Sequence, residues 1–353
     1  MSYQREFGNR IRVAVVGIGS HAYRNILPTL HFLPVELVAV CNHSNKELAE
    51  LTAREYGCRS YQDTAEMYEK EKPDAALFCV SAGQHPRLMM EAMKRGIHVW
   101  AEKPLAMRAS ELEEMIACRD AGVTPAGGHP VALAGYKKAF MPAVRKAREI
   151  ASSEKYGHLE SILAVYPLKI PANGEEVLEQ RTMTDWLNNG CHPLSVMMAV
   201  GGHVDSVQAV LNDAGHGSAI LFFKNGAVGN LHLASGPQPN EDYHFYAPTW
   251  HLQIANTSKV ILERGIPSVY GRTTSFVPEG DDTGAVVWEA PNCKATLENM
   301  SFFIQGIYDE LMEFCNCILE QRVPDLCSLE FALELTKVYE ALMTSHGEKK
   351  MIR

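Results

Sequence analysis

The chain has 353 residues, of which 46% are hydrophobic and 21% charged, as is typical of a protein with two globular domains. Its net charge of −9 argues against a nucleic-acid partner, which would need a basic face. No apolar run approaches the roughly 20 residues of a membrane helix, and the polar start of the chain lacks the apolar segment of a signal peptide. We therefore predict a cytoplasmic protein with no membrane partner.

The cysteines and histidines indicate neither a disulfide framework nor a metal site. The nine cysteines are odd in number, irregularly spaced and without a Cys-x-x-Cys pair, which favours reduced, mostly buried thiols. The fourteen histidines form no His-Glu-x-x-His motif and no Cys/His cluster. We predict that no metal is bound.

The first part of the chain alternates strands with helices. Apolar, β-branched runs typical of buried parallel strands occupy residues 11–19, 35–42, 74–81 and 97–103. Helical patterns follow at residues 25–33, 45–57, 86–96 and 109–122, and Asp63 and Glu66 form a capping box that predicts the start of a further short helix. This alternation, with a glycine-rich first turn, predicts an α/β fold in which residues 1–130 form a Rossmann dinucleotide-binding domain.

The remainder, residues 131–353, has a different pattern. We predict a helix near 137–152, then β-rich runs with a hairpin turn at Asn225-Gly226, then helices near 301–321 and 328–345. Loops near 171–183, 236–248 and 275–294 are long enough to line a site or an interface. This second domain is predicted to be α+β with a large, mostly antiparallel open sheet, and its C-terminal helices can pack back on the Rossmann domain.

The first strand ends in the motif Gly17-x-Gly19-x-x-Ala22. Gly17 permits a tight turn, Gly19 lets a pyrophosphate approach the backbone, and Ala22 allows close packing of helix and strand. Ser20 and His21 open the following helix, whose N–H groups favour phosphate. In this context the motif predicts dinucleotide binding rather than a purely structural turn.

The end of the second strand predicts how the adenosine ribose is held. Asn42 stands where an acidic residue usually binds the ribose hydroxyls of NAD, and His43 and Ser44 follow it. A neutral asparagine can bind a hydroxyl but does not repel a 2′-phosphate. No arginine follows at once, so we predict NAD and leave NADP open.

Further polar residues follow the later strands of the parallel sheet. Ligands of such sheets bind outside the carboxyl ends of the strands. We predict cofactor contacts there from Ser81, Ala82, His85, Glu102 and Lys103. Pro104 restricts Lys103 to an extended conformation, so the lysine points into the crevice or away from it.

The sequence resembles the Gfo/Idh/MocA oxidoreductases over nearly its whole length. The resemblance rests on "VVGIGSHA", "HVWAEKPLA", "AGYKKAFMPAVRKAREI" and "NNGCHPLSVMMAVGG", together with the C-terminal segment beginning "LMEFCNCILEQ". It implies that Lys103 lies beside the nicotinamide and the reacting hydroxyl, and that the Lys103–Pro104 peptide is often cis. It also implies a homo-oligomer with contacts through the open sheet.

The stretch "DWLNNGCHPLS" departs from the family pattern. The family typically has aspartate and histidine four residues apart, with a further acidic residue three positions later, whereas this chain has Asn188, His192 and Ser195. These three positions share one face of a helix. The resemblance implies that His192 is catalytic together with Lys103, while Asn188 positions a substrate hydroxyl because it cannot accept a proton as aspartate can.

Other residues are candidates for contacting a sugar. These are Tyr136, Lys137, Tyr166, Asp185 and Trp186. Aromatic residues are more often core or interface residues, and lysines are usually solvated. These five residues are therefore weaker candidates than His192 and Asn188.

The sequence thus predicts an NAD(P)-dependent enzyme that oxidises a secondary hydroxyl of a sugar, a glycoside or a cyclic polyol. A variant is oxidation at C3 of a glycoside, as the first step of an oxidation–elimination cleavage. The alternative from another class is a non-catalytic regulator that senses nucleotides on the same fold. Free lysine is protonated near neutral pH and histidine titrates close to it, so the sequence leaves open whether Lys103 or His192 accepts the proton.

Overall fold

The computed structural model describes residues 7–237, 240–255, 257–264, 271, 284–291 and 301–353. The chain divides into two compact units. The first comprises Met1–Lys137 and Gln305–Thr336, and the second comprises Lys138–Ile304 and Lys337–Arg353. The predicted fold class is confirmed, with a parallel sheet in the first unit and a mostly antiparallel sheet in the second.

The first unit contains a six-stranded parallel sheet. Its strands are β1 (Ile11–Val16), β2 (Val35–Cys41), β3 (Arg59–Tyr61), β4 (Ala75–Phe78), β5 (His98–Glu102) and β6 (Ala132–Gly135). They lie in the order β3-β2-β1-β4-β5-β6, which is the Rossmann order. The unit continues past the predicted boundary at residue 130 because β6 pairs in parallel with β5.

Helices connect these strands and end where local sequence signals occur. They are α1 (Leu27–Thr29), α2 (Lys46–Tyr56), α3 (Thr64–Glu71), α4 (His85–Lys94) and α5 (Ala109–Ala121). Asn45 and Asp63 cap α2 and α3 by accepting backbone N–H groups at 2.9 and 2.8 Å. Gly57 ends α2 with a φ of 69°, a left-handed conformation that glycine adopts readily. Around α1 the chain instead forms a π-helical turn (Ala22–Ile26) and a 3₁₀ turn (Leu30–Phe32).

The second unit contains a nine-stranded sheet. Its strands are β7 (Ser161–Pro167), β8 (Val204–Leu211), β9 (Gly217–Phe223), β10 (Val228–Ala234), β11 (Asp242–Ala247), β12 (Trp250–Ala255), β13 (Lys259–Arg264), β14 (Gly284–Glu289) and β15 (Lys350–Met351). Their order is β14-β13-β12-β11-β7-β10-β9-β8-β15. Among the described strands of this second sheet, only the β7–β10 pair is parallel. The predicted hairpin at Asn225-Gly226 joins β9 to β10 and is confirmed.

Helices of the second unit differ in part from the prediction. They are α6 (Pro142–Ala151), α7 (Gly174–Gln180), α8 (Asp185–Gly201) and α9 (Ser301–Ile304). The helix predicted near 137–152 is two elements, a 3₁₀ turn and then α6, because Pro142 starts a new helix. The predicted loops near 171–183 and 236–248 were wrong in part, since they contain α7 and β11. In the third, near 275–294, β14 is described and residues 275–283, 292, 293 and 294 lie outside the described residues.

Two C-terminal helices complete the fold, α10 (Ile307–Glu320) and α11 (Leu329–Met343). All of α10 and the first half of α11 belong to the first unit, where α10 packs against β6.

The described cysteines are free thiols. Among the described helices, none combines the length and hydropathy needed to cross a membrane.

Candidate active site

The glycine-rich turn at the carboxyl end of β1 has the geometry of a dinucleotide cradle. Gly17 has a φ of 88°, and a Cβ there would lie 2.5 Å from the carbonyl oxygen of Cys79. Only glycine fits this position. Gly19 is different, because no described atom lies within 4 Å of the position its Cβ would take. Its backbone is therefore open to a ligand, and Ala22 is fully buried, as close helix–strand packing requires.

His21 joins this turn to the end of β5. Its Nε2 lies 2.5 Å from Oε1 of Glu102, although neither atom has a hydrogen bond of acceptable direction with a described residue. The two atoms are therefore in close contact without a directed hydrogen bond. The predicted cofactor residues His21 and Glu102 thus meet at the carboxyl edge of the parallel sheet.

Asn42 organises the turn after β2. Its Oδ1 accepts from the backbone N–H and hydroxyl of Ser44 and from the backbone N–H of Asn45, each at 3.3 Å. The side-chain amide keeps its two N–H donors for other partners. His43 is exposed, and its Nδ1 lies 3.3 Å from the carbonyl oxygen of Gln62. Asn42 thus presents donors, where an aspartate would present acceptors.

Lys103 follows β5 and is held at its backbone. Its N–H donates to Oε2 of Glu102 at 3.1 Å, and the Lys103–Pro104 peptide is cis. The carbonyl oxygen of Pro104 lies 3.1 Å from Nδ1 of His85, so that nitrogen carries the proton and donates it. Burial lowers the pKa of His85 to about 4, so the ring is neutral at physiological pH.

His85 therefore differs from its predicted role. It is fully buried, so it supports the turn after Lys103 and is not placed to contact the cofactor. Ala82 is also buried, whereas Ser81 is exposed at the same end of β4. The sequence places these residues after the parallel strands but does not indicate how deeply each side chain is buried.

In the second unit, α8 carries four predicted residues, Asp185, Trp186, Asn188 and His192. Thr184 caps the helix by accepting the backbone N–H of Leu187 at 3.1 Å. His192 is 7% exposed, whereas Asn188, one turn earlier, is exposed. Ser195 is fully buried and donates to the carbonyl oxygen of His192 at 2.9 Å. The hydroxyl of Ser195 therefore binds a backbone carbonyl group of its own helix.

Two of the predicted substrate contacts are packing residues instead. Trp186 has no exposed surface and stacks on Tyr339 at 6.0 Å between ring centroids. A Cβ at Gly190 would lie 2.6 Å from the Trp186 ring, which explains the glycine one turn later. Tyr136 is 1% exposed and packs against Phe331. Because neither ring is accessible, we do not retain substrate contact for Trp186 or Tyr136.

A buried polar network surrounds Tyr166 and was not predicted. The Nζ of Lys138 lies 2.5 Å from Oε1 of Glu241, and 4.9 Å from the centroid of the Tyr166 ring. Tyr243 donates its hydroxyl to Oε2 of Glu241 at 2.8 Å. Burial, and then the charge of Glu241, raise the pKa of Tyr166, so its hydroxyl stays protonated.

The predicted substrate residue Asp185, in the first turn of α8, is exposed. Its carboxylate accepts a hydrogen bond from the side-chain amide of Asn189 at 2.5 Å.

A cavity of about 1010 Å³ lies elsewhere in the first unit. It is lined by residues at the amino ends of four strands, among them Ile11, Asp74, His98 and Ala132. Ligands of doubly wound sheets bind at the opposite, carboxyl ends. This cavity is therefore not the cofactor crevice.

Among the described residues, no group of His, Cys, Asp and Glu side chains could hold a metal ion.

Comparison with known proteins agrees with this geometry. A family model described as Gfo/Idh/MocA, an oxidoreductase family with an NAD-binding Rossmann fold, matches residues 11–124. The chain is 26% identical over 269 residues to a dTDP-3,4-didehydro-2,6-dideoxy-alpha-D-glucose 3-reductase of Streptomyces violaceoruber, covering 72% of this chain and 73% of the relative. It is 22% identical over 240 residues to D-xylose 1-dehydrogenase (NADP(+)) 2 of Haloferax volcanii, covering 65% and 71%.

The fold also matches a solved structure. A dehydrogenase from Chromobacterium violaceum superposes with a TM-score of 0.77, over 96% of this chain and 95% of that one, at 19% identity. At this identity the likeness establishes the fold of both units. The family model by itself describes residues 11–124 as an NAD-binding Rossmann fold.

Proposed function

We propose that the chain is an oxidoreductase of the Gfo/Idh/MocA family, whose model matches residues 11–124, and that it oxidises a secondary hydroxyl of a sugar, a glycoside or a cyclic polyol. The observation that carries this proposal is the position of Lys103, directly after β5, at the carboxyl edge of the NAD-binding sheet. The names of its relatives, a deoxysugar reductase and a xylose dehydrogenase, support a sugar substrate.

Lys103 is proposed to exchange the proton of the substrate hydroxyl. A bound nicotinamide supplies the hydride acceptor at this edge of the sheet. Glu102 holds the backbone of Lys103, and His85 holds the carbonyl oxygen of Pro104. The turn is therefore held by two hydrogen bonds, one at the N–H of Lys103 and one at the carbonyl oxygen of Pro104. They limit the positions open to the lysine amine.

His192 is proposed as the second acid/base group, with Asn188 as the residue that orients the substrate. The support is the family resemblance of the segment around α8 and the placement of both residues on one face of that helix. Asn188 can donate and accept hydrogen bonds but cannot take up a proton. Proton transfer would therefore involve Lys103 and His192 alone.

Replacing His192 by glutamine is expected to lower kcat by about 10²–10⁴-fold, which is the usual contribution of a general acid or base. Glutamine keeps hydrogen-bonding capacity but cannot exchange a proton. Steady-state kinetics of the variant would measure kcat, and nucleotide titration would show an unchanged Kd for the cofactor. The matched control is His158→Gln, at an exposed histidine of the same unit. Full activity of His192→Gln would remove this residue from the proposal.

Asn42 is proposed to allow both cofactors, because its amide donors suit a ribose hydroxyl or a 2′-phosphate. Asn42→Asp is expected to weaken binding of NADP⁺ relative to NAD⁺ by at least about tenfold, since the new carboxylate repels the 2′-phosphate. The measurement is the ratio of the two Kd values. Asn45→Asp adds the same charge three residues away and still caps α2, so it should leave the ratio nearly unchanged. An unchanged ratio in Asn42→Asp would contradict this role.

A panel of sugars, glycosides and cyclic polyols tests the proposed reaction. With NAD⁺ or NADP⁺ present, an active compound produces the near-ultraviolet absorbance of the reduced nicotinamide. Release of the aglycone from a glycoside after that oxidation would favour the oxidation–elimination variant. Tight nucleotide binding without turnover of any compound would instead favour a nucleotide-sensing regulator.

A further inference from the structure

Glu310 is a buried acid in the first turn of α10 that the proposed reaction does not use. Its side chain has no exposed surface, and neither of its carboxyl oxygens has a hydrogen-bond partner among the described residues. An ionised carboxylate without donors is strongly disfavoured in such a place. Burial raises the pKa of Glu310 well above its ordinary value. The side chain therefore holds a proton as a neutral carboxylic acid.

The groups that act on Glu310 lie at the carboxyl edge of the parallel sheet. The charge of Glu102, at the end of β5, raises its pKa further, and that of Lys137, just after β6, lowers it. Lys137 donates to Oε1 of Gln305 at 2.6 Å. Cys79, just after β4, is half-buried, and burial, then the charges of Glu102 and Glu310, raise the pKa of its thiol. Glu310 thus belongs to the edge that carries Gly17, Gly19 and Lys103.

One of the two carboxyl oxygens of Glu102 has no hydrogen-bond partner among the described residues. Its Oε2 accepts the backbone N–H of Lys103, but its Oε1 has no hydrogen bond with a described residue and only the nearby ring of His21. Two carboxyl groups therefore share one small region of the edge. Two such groups cannot both ionise readily, so one proton is retained there.

Arrival of a positive charge at this edge changes that balance. The oxidised nicotinamide ring is cationic, whereas the reduced ring is neutral. A nearby cation favours the ionised form of a carboxylic acid. The oxidised cofactor therefore favours loss of the Glu310 proton, and the reduced cofactor does not.

We propose that Glu310 is a proton store linked to the oxidation state of the cofactor. It holds a proton in the free protein and in the complex with reduced cofactor, and it releases that proton to solvent when oxidised cofactor binds. Glu310 contacts neither substrate nor hydride in this account. It acts through its own charge, which changes when the proton is lost. The inference rests on cofactor binding at this edge and goes beyond the proposed oxidation of a sugar.

Calorimetric titration of the whole protein in buffers of different ionisation enthalpy tests the proposal. For NAD⁺, the heat should vary with the buffer and report release of up to about one proton per bound nucleotide. The affinity for NAD⁺ should rise with pH wherever that proton is released, by at most about tenfold per pH unit. NADH should bind with no net release.

Variants assign the proton to its residue. Glu310→Gln keeps the shape of the neutral acid, so it should bind NAD⁺ without proton release and without the rise in affinity. Glu114→Gln removes an exposed carboxylate of α5 in the same unit and should behave as the wild type. Should Glu310→Gln fail to fold, proton release that persists in Lys103→Met would exclude the lysine amine as its source, and loss of the release in Lys103→Met would overturn the proposal.

Two results would overturn the proposal. One is equal proton release by NAD⁺ and NADH, and the other is unchanged release in Glu310→Gln. If neither nucleotide nor its 2′-phosphorylated form gives a binding heat, the cofactor site itself is wrong and the proposal fails with it. Normal proton release without turnover of any sugar would contradict only the proposed reaction.

Discussion

Replacing Lys103 by methionine is expected to lower kcat by about 10²–10⁴-fold, the usual contribution of a positioned acid or base. Methionine is unbranched and similar in length, so it preserves much of the packing while removing the exchangeable proton. The backbone hydrogen bond from residue 103 to Glu102 does not require the lysine side chain. Stopped-flow or steady-state kinetics with an active substrate would measure the loss, and nucleotide titration should show cofactor binding retained.

The control for this substitution is Lys70→Met, which removes an exposed lysine of α3 that pairs with Glu66 at 2.6 Å. Surface pairs of this kind contribute little to stability, so kinetics of the control should match the wild type. A Lys103→Met protein that folds, binds cofactor and turns over normally would contradict the assigned role of Lys103.

Replacing Gly17 by alanine is expected to destabilise the first unit by at least about 2 kcal/mol and to abolish cofactor binding. The φ of 88° is costly for a residue with a Cβ. The new Cβ would also lie 2.5 Å from the carbonyl oxygen of Cys79 and 2.8 Å from Cγ1 of Val80. Thermal unfolding should show a decrease in Tm of several degrees.

Gly19→Ala is the matched comparison in the same turn. Its Cβ would meet no described atom within 4 Å, so Tm should change little. Cofactor binding should nevertheless weaken, because the methyl group occupies the space through which a pyrophosphate approaches the backbone. Equal stability of Gly17→Ala and the wild type would contradict the geometry of the turn.

The fold of the first unit could be predicted because its signals are local. Buried parallel strands appear as continuous apolar runs, and the glycine turn and the caps at Asn45 and Asp63 are legible within a few residues. The element α7 escaped prediction because its seven residues supply only Val177 and Leu178 as a buried apolar pair. The strand β11 alternates buried Tyr243 and Phe245 with more exposed residues, a strand pattern that the prediction of a loop near 236–248 overlooked.

The burial of individual side chains in the site could not be predicted, because burial depends on contacts between distant parts of the chain. His85, Tyr136 and Trp186 have side chains suited to binding, yet all three are buried. Glu310 is the clearest example. In sequence it is an ordinary glutamate in an amphipathic helix, and its burial arises only because α10 returns to the first unit and packs against β6.

Product analysis of one active substrate tests the central claim most directly. The wild-type protein, substrate and oxidised cofactor would be incubated together, and the reduced cofactor and the product would be quantified by absorbance and mass spectrometry. The proposal predicts one reduced cofactor for each carbonyl product that has lost one hydride and one proton, with neither formed by Lys103→Met. Formation of that carbonyl product without cofactor reduction, or equal amounts from Lys103→Met, would contradict it.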